Sequence, residues 1–151
     1  MIREATLNDL DRLVELGTHM HAESRYSIFD FDPVKLRRYI QTFIEHDHGM
    51  IFVCEKNEVI VGGVMGWIEE QYFGHDKLLC DLALFVEPDK RGAMAGALLI
   101  KRFLEYGKEQ GVAQIILTNS SGVDKERVAQ LYAKLGMEHV GFVFSYNNKK
   151  A

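Results

Sequence analysis

The sequence predicts a mixed α/β (α+β) fold with a mostly antiparallel central sheet covered by helices. Three observations predict it. Strand-like and helix-like segments follow one another in the order β-α-α-β-β-β-α-β-α-β. Two of the apolar runs are joined by a polar connection of hairpin length, and one helix lies between two strand-like runs, as in a parallel crossover. Since 151 residues suit one domain of ordinary size, we expect residues 1–151 to form a single domain.

The N-terminal part of the chain predicts one short strand and two helices. Residues 2–5 form a strand-like run, and residues 6–9 offer an N-cap to a helix whose apolar residues recur at helical spacing. Residues 21–31 mix aromatic and charged side chains without a period, which indicates a helix end and a loop. Pro33 then occupies the first position of a second helix, and Gly49 lies beyond its end.

The middle of the chain predicts three strands. Residues 50–68 hold two apolar runs joined by the polar residues 55–58, which is typical of an antiparallel hairpin. Residues 78–86 form a third run that is too continuously apolar to have one wet face, so we expect a central strand there.

The C-terminal half predicts a helix, a strand, a second helix and a last strand. The two helices span about residues 94–110 and 124–135, and the strands span residues 112–118 and 138–146. An exposed last strand could pair with a second subunit, so a homodimer is one expectation.

Composition and charge narrow the classes of function. Hydrophobic residues make up 47% of the chain and charged residues 26%, with two prolines, which is typical of a folded protein. A net charge of −4 argues against a general nucleic-acid binder, because such proteins need a basic surface to displace counterions. No stretch resembles a signal peptide or reaches membrane-spanning length, so we expect a cytoplasmic protein that does not bind membranes.

Cysteine and histidine usage predicts neither a disulfide nor a metal site. Cys54 and Cys80 lie in apolar strand-like runs without CxxC spacing, which favours buried, reduced thiols. Neither of the two closely spaced histidine pairs has a cysteine or carboxylate at a zinc-site spacing.

The turn in "VEPDKRGAMAGALLI", residues 86–100, places small residues where a helix begins. A helix N-terminus carries unpaired N–H groups and favours an anion. The small side chains there, Gly92, Ala93, Ala95 and Gly96, would let a phosphate approach. The stretch lacks the Lys-Ser/Thr ending of a P-loop and the full GxGxxG pattern. On its residues alone it is either a phosphate cradle or a plain turn packed with small residues.

Two segments resemble the GNAT superfamily of acyl-CoA-dependent N-acyltransferases. In "LALFVEPDKRGAMAGALLIKRFLEYGKEQGV" a strand ends in Val-x-Pro, and Arg91 and Gly96 match the first and last members of the motif Arg/Gln-x-x-Gly-x-Gly/Ala. Met94 replaces the middle glycine. "ERVAQLYAKLGMEHVG" resembles the family's second segment, with Tyr132 and Lys134 in place. The order of strands and helices is also similar to that of the family.

The resemblance implies an acetyl-CoA site. It implies that backbone groups in one turn hold the pyrophosphate, namely those of Arg91, Gly92, Ala93, Met94, Ala95 and Gly96. It also implies that the backbone of Leu84 and Val86 hydrogen-bonds the pantetheine arm in the manner of an added strand. Lys125 stands where the family often has an asparagine that contacts the cofactor, so that contact is lost or becomes a charged one to phosphate.

The resemblance also implies catalytic residues. Tyr132 matches the tyrosine that protonates the thiolate of coenzyme A; its other interpretation is a core aromatic. Asp81 is a neighbour of the position of the usual base rather than its match, unless a bulge re-aims it, and it could equally be a strand carboxylate bonded to backbone. Glu69 and Glu70 are alternatives for the base or solvated charges at a strand end.

The implied function is transfer of an acetyl group from acetyl-CoA to a primary amine of a small molecule or a protein, without a metal. The amine would lie against residues 21–31, and the candidates to wall or charge its pocket are Glu23, Tyr26, Phe29, Asp30, Phe31 and Asp32. Those aromatic residues could equally fasten the loop to the core. The alternative function is a catalytically weak or inactive protein of the same fold that acts as a CoA-binding or protein-interaction module. A weaker alternative is a nucleotide-binding domain of another type.

Overall fold

The computed structural model describes residues 1–92 and 94–149. Its strands are β1 Ile2–Glu4, β2 Gly49–Lys56, β3 Val59–Glu70, β4 Lys77–Val86 and β5 Gln114–Ile116. Its α-helices are α1 Leu10–Glu23, α2 Pro33–Glu45, α3 Ala95–Glu109 and α4 Lys125–Lys134. Short 3₁₀ turns lie at Leu7–Asp9, Arg25–Ile28 and Pro88–Lys90. None of the helices in the described ranges is long and apolar enough to cross a bilayer.

The sheet has the order β1-β2-β3-β4-β5. Every neighbouring pair is antiparallel except β4 and β5, which are parallel. The β2–β3 hairpin turns at Asn57 and Glu58, whose φ angles of 49° and 65° are those of a two-residue turn that matches the twist of the strands. The predicted mixed, mostly antiparallel sheet is therefore confirmed.

Helices cover both faces of the sheet because the buried residues of β2 alternate. Phe52 and Cys54 pack with the apolar residues of α3, among them Leu99 and Phe103. Ile51 and Val53 point the other way and pack with α1 and α2. The central strands are thus apolar on both faces, as their continuous hydrophobic runs predicted.

Strand β4 contains a bulge that interrupts its pairing with β3. Met65 is opposite Ala83 and Gly66 is opposite Asp81, so Leu82 is the extra residue. On its other side, β4 pairs with β5 only from Leu78 to Cys80. Beyond this point β4 runs on without β5, and the two parallel strands part. We call this parting of the strands, from Asp81 onward, the fork.

The predicted last strand, residues 138–146, is not formed. Residues 137–149 have no regular secondary structure, and the large apolar side chains of residues 138–146 are 68–92% exposed, namely Val140, Phe142, Val143, Phe144 and Tyr146. An apolar, β-branched pattern gives a segment the propensity for a strand, but a strand needs a neighbouring edge to bond to. Here the segment does not pair with β5, so the predicted order loses its final β, and the expected pairing of that strand with a second subunit loses its basis.

Candidate active site

The fork opens into a cavity of about 460 Å³. Its walls are the second half of β4, the turn before α3, the loop after β5 and helix α4. This is the carboxyl end of the two parallel strands, where open α/β sheets bind ligands. The cavity brings together the two chain segments that carry the sequence motifs.

The turn before α3 has the backbone geometry that an anion site requires. Gly92 and Met94 have positive φ angles of 87° and 68°, and they turn the chain into the helix. No side chain caps the start of α3 among the described residues. Its first N–H groups are therefore free for an anion. This geometry fits a pyrophosphate.

The cradle residues predicted from the sequence fall into three groups. Arg91, Gly92, Met94 and Gly96 line the cavity, together with Ala97. Ala95 is buried beneath the first turn of α3, with 1% of its surface exposed. Ala93 lies outside the described residues.

The Arg91 guanidinium is occupied by protein partners and is therefore not a free cation. Its two terminal nitrogens donate to the two carboxylate oxygens of Glu23, one of them over 2.7 Å, and its Nε donates to the Val86 carbonyl over 2.9 Å. The hydrogen bond from Arg91 lowers the pKa of Glu23 despite partial burial. These contacts tie the turn to the end of α1.

Arg127 supplies the cation that the sequence reasoning missed. Its Nη2 lies 3.4 Å from the point where a side chain on Gly92 would begin, and it lines the cavity. It has no hydrogen-bond or ion-pair partner within residues 1–92 and 94–149. Lys125, at the family's asparagine position, is not among the lining residues. The available signal was that Arg127 stands in the first turn of the helix that carries Tyr132.

Strand β4 presents an open backbone edge to the same cavity. Leu84 and Val86 both line it, as the resemblance implies. They pair with Val64 and Gly62 of β3 on one side, and no described strand pairs with them on the other. The Val86 carbonyl already accepts from Arg91. The edge can add an extended ligand as it would add a strand.

At the base of the fork, Thr118 joins the two residues predicted to be catalytic. Its N–H and Oγ1 donate to the two carboxylate oxygens of Asp81, over 3.0 Å and 3.3 Å. Its carbonyl accepts from the hydroxyl of Tyr132 over 2.9 Å. Asp81, Thr118 and Tyr132 therefore form one hydrogen-bonded chain. Thr118 was missed by the sequence reasoning, although it lies just beyond a strand at its carboxyl end.

Burial raises the pKa of both ionisable members of this hydrogen-bonded chain, Asp81 and Tyr132. Removal from water raises the pKa of Asp81 to about 6, although the hydrogen bonds from Thr118 oppose the rise. Removal from water, and then the nearby Asp81 charge, raise the pKa of Tyr132 above its ordinary value. At neutral pH the site holds a carboxylate of increased basicity and a phenol that keeps its proton.

The two interpretations of Asp81 both describe real features of its geometry. The bulge at Leu82 directly follows Asp81 and alters the direction of side chains there. Asp81 is also bonded to the backbone of Thr118, as a structural carboxylate would be. Glu69 and Glu70 are exposed and line neither of the two cavities described here. Glu69 instead accepts a hydrogen bond from the Cys80 thiol over 3.8 Å.

A second cavity of about 500 Å³ lies between α1, α2 and the strands β3 and β4. The two cavities share a wall, formed by Met20, Tyr26, Leu82, Ala83 and Phe85. Of the residues expected to surround an amine, the second cavity is lined by Tyr26, Asp30, Phe31 and Asp32. Glu23 and Phe29 are not among its lining residues.

The wall between the cavities is fixed to the loop after β5. The backbone N–H of Arg25 donates to the Ser121 carbonyl over 3.0 Å. The Tyr26 hydroxyl lies 3.3 Å from Oγ of Ser120. The turn after α1 therefore holds the two cavities side by side.

The family model described as Acetyltransferase (GNAT) family matches residues 15–137. The chain therefore belongs to the GNAT acetyltransferase family.

A known relative agrees with the assignment to the GNAT family. An uncharacterized N-acetyltransferase of Methanocaldococcus jannaschii is 30% identical over 142 residues, which are 91% of this chain. The chain spans 60% of the length of that relative.

Solved structures share the fold at lower identity. A tetramutant of a Bacillus halodurans protein is 23% identical with a TM-score of 0.79, over 97% of this chain and 99% of that one. An aminoglycoside acetyltransferase from an uncultured soil metagenomic sample, in complex with trehalose, is 22% identical with a TM-score of 0.75, over 99% and 96%.

Replacing Met94 by glycine is expected to stabilise the fold. Met94 has a φ of 68°, a left-handed conformation that disfavours a residue with a Cβ, and its side chain is 64% exposed. Met94→Gly should raise the free energy of unfolding by about 1 kcal/mol in denaturant titrations. Met94→Ala is the control, because it removes the same side chain but keeps the strained Cβ. Equal stability of the two variants would contradict the argument.

Asp81 is expected to make stability depend on pH. Its pKa is raised in the folded state, so the carboxylate form is disfavoured and its contribution to stability is lost as the pH rises from about 4 to about 6. Asp81→Asn keeps an acceptor for the Thr118 N–H and removes the charge. Its stability relative to the natural chain should rise from near zero at pH 4 to about 3 kcal/mol at pH 8.

The matched control for this pH dependence is Asp89→Asn, which removes an exposed carboxylate. Denaturant unfolding across the pH range measures both variants. A stability gain for Asp81→Asn that does not change with pH would show that the carboxylate is not destabilised by burial.

Proposed function

We propose that the chain transfers an acetyl group from acetyl-CoA to a primary amine of a small molecule or protein. The observation that carries this proposal is the hydrogen-bonded chain Asp81–Thr118–Tyr132 at the base of the fork. It stands beside an uncapped helix N-terminus and an open strand edge. The helix N-terminus would bind the phosphates of the donor, and the strand edge would bind its extended thiol arm. The hydrogen-bonded chain would serve the acyl transfer.

The fork has a binding group for each part of the donor. The first N–H groups of α3 would hold the pyrophosphate together with Arg127, which has no partner among the described residues. The backbone edge at Leu84 and Val86 would align the pantetheine arm. Bound there, acetyl-CoA supplies the activated acetyl group as a thioester.

The reaction needs one proton acceptor and one proton donor. It forms a bond between the amine nitrogen and the thioester carbon, and it breaks the carbon–sulfur bond. Asp81 accepts the proton that the amine loses, because its raised pKa of about 6 leaves it ionised but more basic than an ordinary carboxylate at pH 7. Tyr132 donates a proton to the leaving sulfur, so coenzyme A departs as a thiol. The proton taken up by Asp81 then restores the Tyr132 phenol through solvent, and an acceptor that arrives as an ammonium ion first releases one proton to solvent.

Thr118 sets the geometry of both proton transfers. Its N–H and hydroxyl orient the Asp81 carboxylate, and its carbonyl orients the Tyr132 hydroxyl. For catalysis, the Tyr132 proton must turn from that carbonyl to the sulfur. Because Tyr132 has a raised pKa, it carries this proton at neutral pH.

A CoA-binding module without turnover is the second candidate function. It is favoured by the engagement of both Asp81 oxygens with Thr118, which suits a structural carboxylate. The two candidates agree on donor binding and differ on thiol release.

Tyr132→Phe is expected to lower kcat for thiol release from acetyl-CoA by about 100-fold, because the phenol proton is lost. The dissociation constant for acetyl-CoA, from isothermal titration, should be unchanged, because the phenyl ring remains. Tyr106→Phe is the matched control. Tyr106 packs edge-on against Phe52 in the core cluster of α3 and lines neither cavity.

Unchanged kcat in Tyr132→Phe would remove Tyr132 from the chemistry. Donor binding with no thiol release for any amine would favour the module without turnover.

A further inference from the structure

We propose that the second cavity binds the acceptor, and that the acceptor is a small amine with a single ammonium group on an apolar body. This inference rests on the proposed function and specifies its substrate class. Three properties of the cavity carry it: its floor, its charges and its connection to the fork.

The floor of the cavity is apolar. Side chains of α1, α2, β2 and β4 that are at most 9% exposed form it: Leu13, Leu16, Ile40, Ile51 and Phe85. Leu82, on the bulge, adds an apolar side chain that is 46% exposed at the junction with the first cavity. Covering such a surface favours an apolar ligand, by about 25 cal/mol for each Å² removed from water.

The charges at the cavity cannot compensate several cations. Four ionisable side chains other than tyrosine line it: His21, Asp30, Asp32 and Lys35. The Asp32 carboxylate caps α2 by accepting from the N–H groups of Val34 and Lys35, over 2.9 Å and 3.2 Å.

The formal charges of the lining leave one net negative charge for a ligand, because Lys35 offsets one of the two carboxylates. His21 bonds through Nε2 to the Phe29 carbonyl over 2.8 Å. Asp30 has no hydrogen-bond or ion-pair partner in the described ranges, but Lys35 places a positive charge on the same cavity. A polyamine or aminoglycoside would therefore bring cations without partners, which costs free energy when they leave water.

The shared wall places one ammonium group at the reacting end. Leu82 and Ala83 line both cavities, and they follow Asp81 directly in β4. An amine that lies on the apolar floor can extend its nitrogen past this wall toward the Asp81 carboxylate. A ligand with one ammonium group then has its charge compensated at the fork and its body covered by the floor.

The volume of about 500 Å³ accommodates a compact acceptor such as an aromatic ring with a short aminoalkyl chain. The N-terminus of a peptide would bring successive polar backbone groups onto the same surface. An apolar floor leaves such groups without hydrogen-bond partners, so the cavity favours the small amine.

The test measures thiol release at saturating acetyl-CoA with three kinds of amine. These are 2-phenylethylamine and tryptamine, the polycations sisomicin and spermidine, and a peptide with an N-terminal leucine. We expect kcat/KM for the aromatic monoamines to exceed the values for the other two kinds by at least about 10-fold. Higher values for the polycations or the peptide would overturn the inference and leave the proposed acetyltransferase intact.

A pair of variants tests the location of the acceptor. Phe31 lines the cavity and Phe29, two residues earlier on the same loop, does not. Phe31→Asn should raise KM for 2-phenylethylamine by about 10-fold with little change in the affinity for acetyl-CoA, because a neutral amide replaces apolar surface. Phe29→Asn should leave KM within about twofold, and thermal unfolding checks that both variants fold.

The outcomes separate the two proposals. Equal KM values for the two asparagine variants, both folded, would show that the acceptor does not occupy this cavity. Donor binding without thiol release for every amine would instead contradict the proposed function.

Discussion

The parallel pairing of β4 with β5 ends at Cys80 and Ile116, and the bulge at Leu82 lies just beyond this end. A continuous pair of strands would fill the space between them with hydrogen bonds. The early end of the pairing instead leaves a backbone edge on β4 open beside the cavity, which is lined by both predicted catalytic residues and by most of the predicted cofactor residues. The position of the turn before α3 also depends on the early end of this pairing, because the turn follows the half of β4 that does not pair with β5.

Three contacts hold the fork in shape without closing it. Asp81 and Thr118 form hydrogen bonds across the base of the fork. Arg91 ties the turn at its outer end to Glu23 of α1, and Tyr26 fixes the turn after α1 to Ser120 beyond β5. These contacts lie around the cavity rather than across it, so they leave its interior open to a ligand. They also position the turn at the phosphate end of the cavity and the side chains at its reacting end. The same set of contacts places the second cavity beside the reacting end.

The sequence predicted the parts of this arrangement that have local causes. The turn at Asn57 and Glu58, the apolar central strand and the helix that carries Tyr132 all follow from short stretches of the chain. The left-handed conformation of Met94 explains why the family's pattern has glycine there: the conformation belongs to the position, and this chain keeps it with a Cβ present.

Features that depend on distant residues could not be predicted in this way. In the sequence, Leu82 is one more apolar residue in a continuous run, so no local pattern indicates that it forms the bulge. Arg127 meets the turn at Gly92 only because α4 lies across the fork, and the guanidinium of Arg91 is occupied only because α1 ends nearby. Residues 138–146 have the pattern of a strand but do not pair with the outer edge of β5, and no local pattern reveals this.

The most direct test of the central claim, that the fork is the acyl-CoA site, is an amide-resolved NMR titration with acetyl-CoA. The account predicts the largest shift changes at the open edge and the turn, at Leu84, Val86, Gly92 and Gly96, with no change at Arg3 in the distant edge strand β1. An absence of shift changes at millimolar acetyl-CoA, or changes confined to residues outside the fork, would contradict it.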